Sequence, residues 1–160
     1  MERGSFAARH DFDALPLSPE VDVRCAQFSE IATLSDMARR LVPGVRIGTA
    51  DLAKYYTFDP ESILTFSRKG RLLGGMAFLF LNDRGHDALL LDEICLTAPE
   101  TEYLASARED VAAIYIWAIA ATGRGIAGLG KAAAHLRQVR FRGADCYAQP
   151  STVALSLIHI

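Results

Sequence analysis

Apolar and polar residues alternate along Val21-Asp22-Val23-Arg24-Cys25-Ala26, the period-two pattern of a strand with one buried face. The period then lengthens: Ile31, Leu34, Ala38 and Leu41 recur on one helical face. Ser29 is placed to cap that helix, Glu30 suits its first turn and Arg39-Arg40 its last, and Pro43-Gly44 stops it. A second helix is predicted from Thr49 through Leu52-Ala53 and Tyr55-Tyr56 to the break at Asp59-Pro60. Residues 63–66 read as a short strand and Lys69-Gly70 as a turn. Residues 72–81 read as a longer strand in which Gly74-Gly75 mark a bulge or bend. Asp83-Arg84-Gly85-His86-Asp87 is predicted to turn the chain into a further strand over 88–96.

The next stretch supports two patterns. Pro99 and two glutamates make 98–110 a short helix or an inserted excursion between strands. Tyr103-Leu104, Ala107, Val111, Ile114-Tyr115 and Ala118 also share a helical face, so 99–121 admits a single helix. Ile114, Tyr115, Ile116, Trp117 and Ile119 are good strand formers, which favours a strand over 112–120. Thr122-Gly123-Arg124-Gly125-Ile126-Ala127-Gly128-Leu129-Gly130-Lys131 follows, then the helical run Ala132-Ala133-Ala134-His135-Leu136 and a strand near Asp145. A strand, a glycine-rich turn and a helix together hold phosphate, because glycines let the backbone approach and N–H groups at the helix start face the anion. A phosphate-bearing cofactor is therefore the expectation.

Several motifs fit this loop. Gly125-x4-Gly130-Lys131 matches a P-loop, but Ala132 stands where a Ser or Thr hydroxyl would bind magnesium. Gly123-x-Gly125-x-x-Gly128 matches a dinucleotide fingerprint, yet Asp145 precedes its apolar stretch where the motif's acid should close it. A glycine-rich turn that only packs a helix on a sheet, with no ligand, is a further reading. Finally, Gly125-Ile126-Ala127-Gly128-Leu129-Gly130 resembles the Q/R-x-x-G-x-G/A pyrophosphate loop of GCN5-related N-acetyltransferases, with Arg124 one residue before the Gln/Arg place. The order of elements over 21–151 is similar to that family too: strand, paired helices, antiparallel strands, then a central strand feeding the loop.

The resemblance implies an α+β, acyl-CoA N-acyltransferase-like domain with a mixed, mostly antiparallel sheet flanked by helices. It implies transfer of an acyl group from acetyl-CoA or another acyl-CoA to an amine of a small molecule or protein. Arg124, Gly125, Gly128 and Gly130 would cradle pyrophosphate, and backbone groups of Ile119 and Ala120 would pair with the pantetheine arm. Glu93, read within an apolar strand, is the candidate base, since desolvation there would raise its carboxyl. A Tyr in the helix after the last strand often gives the leaving thiolate its proton; Tyr147 is a strand-like substitute and Ser151 a second candidate. The apolar ending after Pro150 leaves no room for the family's last helix and strands, so an incomplete domain over 21–160 behind a polar lead-in over 1–20 is expected. A non-catalytic domain of the same fold remains the alternative.

Composition narrows the picture. A chain of 160 residues, 51% apolar and 22% charged, has the length of one globular domain. A formal charge of −2 argues against a nucleic-acid partner, and Arg137-x-x-Arg140-x-Arg142 reads as a solvated helix end or a contact for a nucleotide 3′-phosphate. Cys25, Cys95 and Cys146 are too scattered for zinc or a disulfide framework, and each reads as a small buried hydrophobe. No signal peptide or membrane-length apolar window is evident, so a cytoplasmic setting without a membrane partner is expected.

Overall fold

The chain folds around one mixed sheet with helices on both faces. The structure is a computed structural model that describes residues 5–6, 20–42, 44 and 47–148. In chain order the elements are β1 (Ser5–Phe6), β2 (Asp22–Cys25), α1 (Ile31–Leu41), α2 (Thr49–Phe58), β3 (Ile63–Arg68), β4 (Arg71–Leu81), α3 (Asp83–Leu90), β5 (Ala113–Ala121), α4 (Leu129–His135) and β6 (Asp145–Ala148). The sheet order is β1-β6-β5-β4-β3-β2, antiparallel throughout except for the parallel pair β5–β6. This is the α+β class expected from the sequence, with a helix, α3, where the pattern over 88–96 predicts a strand.

Side-chain alternation divides the core. Phe66, Met76, Phe78, Phe80, Ile114 and Ile116 meet Leu129, Ala132 and Leu136 of α4 on one face. On the other face Leu79, Leu81, Ala113 and Tyr115 meet Tyr55 of α2 and Ala88 and Leu89 of α3. The β3–β4 hairpin closes through Lys69 (φ 50°) and Gly70 (φ 77°), the two left-handed residues that a tight hairpin requires. Gly74 and Gly75 lie where a Cβ would strike the Ala120 and Leu64 carbonyls, so neighbouring strands come closer there than a side chain permits.

Two local expectations are corrected. The first helix is not capped by Ser29. Residues Phe28–Glu30 form a 3₁₀ turn instead, and the Glu30 carboxylate accepts from the Gln27 N–H at 2.8 Å and from both Arg24 Nη atoms at 3.0 and 2.7 Å. Arg24 holds the Glu30 carboxyl below its usual range. The predicted strand over 88–96 is a helix and a turn. Asn82 Oδ1 accepts from the Gly85 N–H at 2.9 Å and caps α3, while Asp92 (φ 62°) follows its end. A short apolar run does not separate strand from helix. Of the run 88–91, Ala88 and Leu89 are buried, with Leu90 and Leu91 exposed by 62% and 66%. The strand over 112–120 does form, at Ala113–Ala121, and 98–110 is an excursion whose single turn Thr101–Tyr103 leads to a bridge between Leu104 and Leu81.

The cysteines also divide. Cys146 is half-buried, and desolvation pushes its thiol up to about 12. Burial, reinforced by Glu61 and Asp59, raises the Cys25 thiol as well. Cys95 is exposed, against expectation, and its hydrogen bond with Thr97 at 3.3 Å lowers it. Iodoacetamide at pH 8 should therefore label Cys95 first, with Cys146 reacting only on denaturation; mass spectrometry of tryptic peptides reads the order directly.

Ser5–Phe6, inside the expected lead-in, pair with Tyr147 and Cys146. The rest of that lead-in, and the expected loss of the last helix and strands after Ala148, lie outside the described residues. Among the described residues, no helix is long and apolar enough to cross a membrane.

Candidate functional site

The glycine-rich loop leaves the C-terminal end of β5 as a 3₁₀ segment, Gly123–Gly128, and runs straight into α4. Its glycines differ in what they face. Gly125 is buried against Leu73, whose Cβ would lie 2.9 Å from an added Cβ, and Gly128 packs on the Phe66 ring at 2.8 Å. Gly130 is buried in the first turn of α4. Gly123 (φ 53°) alone opens to solvent, with nothing within 4 Å of an added Cβ. So Gly125 and Gly128 let the loop press on the sheet, and the loop's outer rim is formed by Thr122, Gly123 and Arg124.

That rim is one wall of an open cleft of about 810 Å³, lined by Arg68, Lys69, Arg71, Leu73, Thr122, Gly123 and Arg124. The opposite wall is the tip of the β3–β4 hairpin. The two walls are tied together where the Thr122 N–H and Oγ1 donate to the Leu73 carbonyl at 2.8 and 3.2 Å. Four cationic side chains thus converge on the loop. Glu20 reaches into the group, 3.2 Å from Arg68 and 3.3 Å from Arg124, in pairs exposed enough for solvent to screen them. Arg124, 74% exposed, is free to turn from Glu20 towards a stronger anion.

The second feature runs back from the loop along β5. Its pairing with β4 passes from Ala77↔Ala118 directly to Phe78↔Ile116, so Trp117 is bulged. Trp117 and Ala118 consequently both pack towards the α1–α2 face. On its other side β5 pairs with β6 only from Ala113 to Ile116. Among the described residues, the backbone from Trp117 to Ala121 has no strand partner on that side. Ile119 and Ala120 fall in this open edge, which suits them to an extended, amide-bearing ligand.

Other predicted residues lie elsewhere. Glu93 is not in a strand: it is exposed in the turn after α3, its N–H donating to the Ala88 carbonyl at 2.8 Å. It is therefore not the buried strand residue that the base assignment requires. Asp145 pairs with Ala113, also at the end of β5 remote from the loop, so no dinucleotide ribose held at the loop could reach it. Arg140 turns inward, contrary to the expected solvated helix end, with Nη1 2.8 Å from Glu61. Tyr147 is half-buried in β6, and Ser151 lies outside the described residues. Among the described residues, no group of three or more His, Cys, Asp or Glu side chains could hold a metal ion.

The cleft cations were missed in the sequence. Arg68-Lys69-Gly70-Arg71 reads locally as a polar hairpin turn, and its proximity to Arg124 exists only once β4 lies beside β5.

No family profile matches the chain, and no curated protein matches it significantly. Among solved structures, it is similar to a GphF GNAT-like decarboxylase in complex with isobutyryl-CoA, at 15% identity and a TM-score of 0.45. The alignment covers 86% of this chain and 56% of that one, so the chain spans little more than half the length of that structure. At that level of likeness nothing is transferred from it to individual residues here.

Proposed function

We propose that the chain binds an acyl-CoA, acetyl-CoA being the reference donor, and passes the acyl group to an amine of a small molecule or protein. The observation that carries this reading is the convergence of Arg68, Lys69, Arg71 and Arg124 on the mouth of the glycine-rich loop, next to the part of β5 that, among the described residues, is unpaired on its β6 side. A polyanion joined to an extended amide chain matches both features. Arg124 and the hairpin cations would take the phosphates, and backbone groups of Ile119 and Ala120 the amides. Gly125, Gly128 and Gly130 would act indirectly, by seating the loop. A bound acyl-CoA supplies the activated thioester carbonyl. The chain's own part is to neutralise the phosphates, align the arm and accept or supply protons. A cytoplasmic setting belongs to this reading.

Calorimetric titration with acetyl-CoA, ATP-Mg and NADH in parallel tests it. The expected result is binding of acetyl-CoA alone. Affinity should fall by about tenfold or more (~1.4 kcal/mol) in the double variant Arg68→Glu, Arg71→Glu, and the difference should shrink as salt screens the exposed charges. Equal affinity in the folded double variant, or preference for either nucleotide, overturns the assignment. Silence from all three ligands favours a non-catalytic domain, a reading that the inward packing of Gly125 and Gly128 supports.

A further inference from the structure

One carboxylate stands among the cleft cations. Arg124 Nη1 donates to Glu20 Oε2 at 3.3 Å, and Arg68 Nη2 lies 3.2 Å from the same oxygen. Two guanidinium groups therefore share a single anionic oxygen, although they belong to distant elements. Arg68 ends β3, opposite Arg71 in the hairpin, while Arg124 lies in the loop that follows β5. The loop approaches Arg68 by packing across the intervening strands, Gly125 on Leu73 of β4 and Gly128 on Phe66 of β3. Glu20 enters from the other side, by way of the edge strand β2. The register of β2 on β3 begins at Asp22↔Ser67, so the residues just before Asp22 run alongside Arg68.

The backbone beside Glu20 is anchored, while its side chain is exposed. Val21, the next residue, is 1% exposed and packs in the core cluster with Phe66 and Leu129. The Glu20 side chain is 49% exposed, against 36% for Arg68 and 74% for Arg124. Ion pairs open to water to that degree are weak and exchange for a stronger partner. A pyrophosphate is such a partner: its oxygens accept from guanidinium groups as a carboxylate does, and it carries more charge. The four cations Arg68, Lys69, Arg71 and Arg124 also outnumber the one carboxylate, which leaves positive charge that Glu20 does not neutralise.

We propose that Glu20 is a resident anion in the phosphate subsite between Arg68 and Arg124, and that a ligand phosphate binds by displacing its carboxylate; the identity of that ligand rests on the acyl-CoA reading above. One phosphate oxygen takes the position of Glu20 Oε2, and both arginines exchange one acceptor for another. Because Val21 anchors the chain, the displaced carboxylate stays near the bound phosphates and repels them. Competition and repulsion act in the same direction, so Glu20 lowers the affinity of the cleft for a polyanion. A residue that only held the two arginines in place would have the opposite effect, since its loss would let them scatter.

The test titrates the full chain calorimetrically with acetyl-CoA and, separately, with inorganic pyrophosphate at low salt. The variants are Glu20→Gln, Arg124→Gln and the two combined, each first shown to melt as a folded protein. Glu20→Gln is expected to bind both probes about three- to tenfold more tightly, and the gain should shrink as salt is raised. In the Arg124→Gln background the same substitution should gain less, because one of its two partners is gone. Unchanged or weaker acetyl-CoA binding by Glu20→Gln overturns the displacement and leaves the acyl-CoA reading intact. So does an equal gain with and without Arg124, which would report the net charge of the surface alone. Tighter pyrophosphate binding by Glu20→Gln, with no acetyl-CoA binding by any of the chains, keeps the subsite and overturns the acyl-CoA reading. Binding of neither probe overturns both.

Discussion

Replacing Arg140 by Leu is expected to cost about 3–5 kcal/mol, read as a large fall in the urea midpoint at unchanged slope. That is a substantial share of the roughly 5–15 kcal/mol that holds a domain together. The reason is what Arg140 leaves behind. Its side chain is 15% exposed and that of Asp59 3%, with Nη2 2.7 Å from Asp59 Oδ2 in a close but poorly directed ion pair. Nη1 reaches Glu61 at 2.8 Å, while Nε and Nη2 donate to the Glu109 and Ser106 carbonyls at 3.1 and 2.7 Å. The guanidinium also stands 5.3 Å from the Phe80 ring centre and 5.4 Å from that of Phe141. Burial works against its charge, but the pairing with Asp59 and Glu61 outweighs it and raises the guanidinium. Without Arg140 a buried carboxylate has no counter-charge, and the 98–110 excursion loses its tie to Asp59, Glu61 and the turn Val139–Phe141. Adding Asp59→Asn to the Leu variant removes the orphaned charge and keeps the Oδ1 acceptor that caps the Glu61 N–H at 3.0 Å. It should recover part of the loss; no recovery would mean that the ion pair is not the source of the effect.

The second large effect is expected at Gly128. A Val there should destabilise by about 1–3 kcal/mol through overpacking, since an added Cβ already stands 2.8 Å from two atoms of the fully buried Phe66 ring. Neither partner yields easily: Phe66 lies in β3, opposite Gly74 of β4, and Gly128 leads into α4. Shortening the ring with Phe66→Leu in the Val background should restore some of the stability. A double-mutant cycle by denaturant unfolding measures that coupling. Additive losses would place Gly128 outside the Phe66 contact. The consequence for function is specific: a loss of acyl-CoA binding on substituting Gly128 reports a displaced loop. The exposed hairpin cations test the ligand site without that complication.

Much of the architecture is legible from local pattern, and the exceptions have physical causes. The alternation over 21–26 and the helical spacing of Ile31, Leu34 and Ala38 report which face is buried, and the β-branched and aromatic residues of 114–119 favour a strand, so they identify elements without knowledge of partners. The same rule fails at Ala88–Leu91, where four apolar residues are compatible with either element and the outcome turns on the Asn82 cap and on Gly85 packed against the Tyr103 carbonyl. A base at Glu93 requires that strand, and the residue's exposure follows from the strand's absence. The glycine-rich loop was visible as a motif. That Gly125 and Gly128 face Leu73 and Phe66, and not a ligand, was not visible, because a glycine's neighbours are set by residues far away in the chain.

By itself, the sequence determined the α+β class, most of the elements and the strand–loop–helix unit, because burial periodicity and turn chemistry act within a few residues. The tertiary structure alone decided where charge and chemistry meet. Pairing β4 with β5 brings the hairpin cations to Arg124, and pairing β2 with β3 brings Glu20 between Arg68 and Arg124. Those juxtapositions depend on strand order and register, which long-range packing selects and no local pattern encodes.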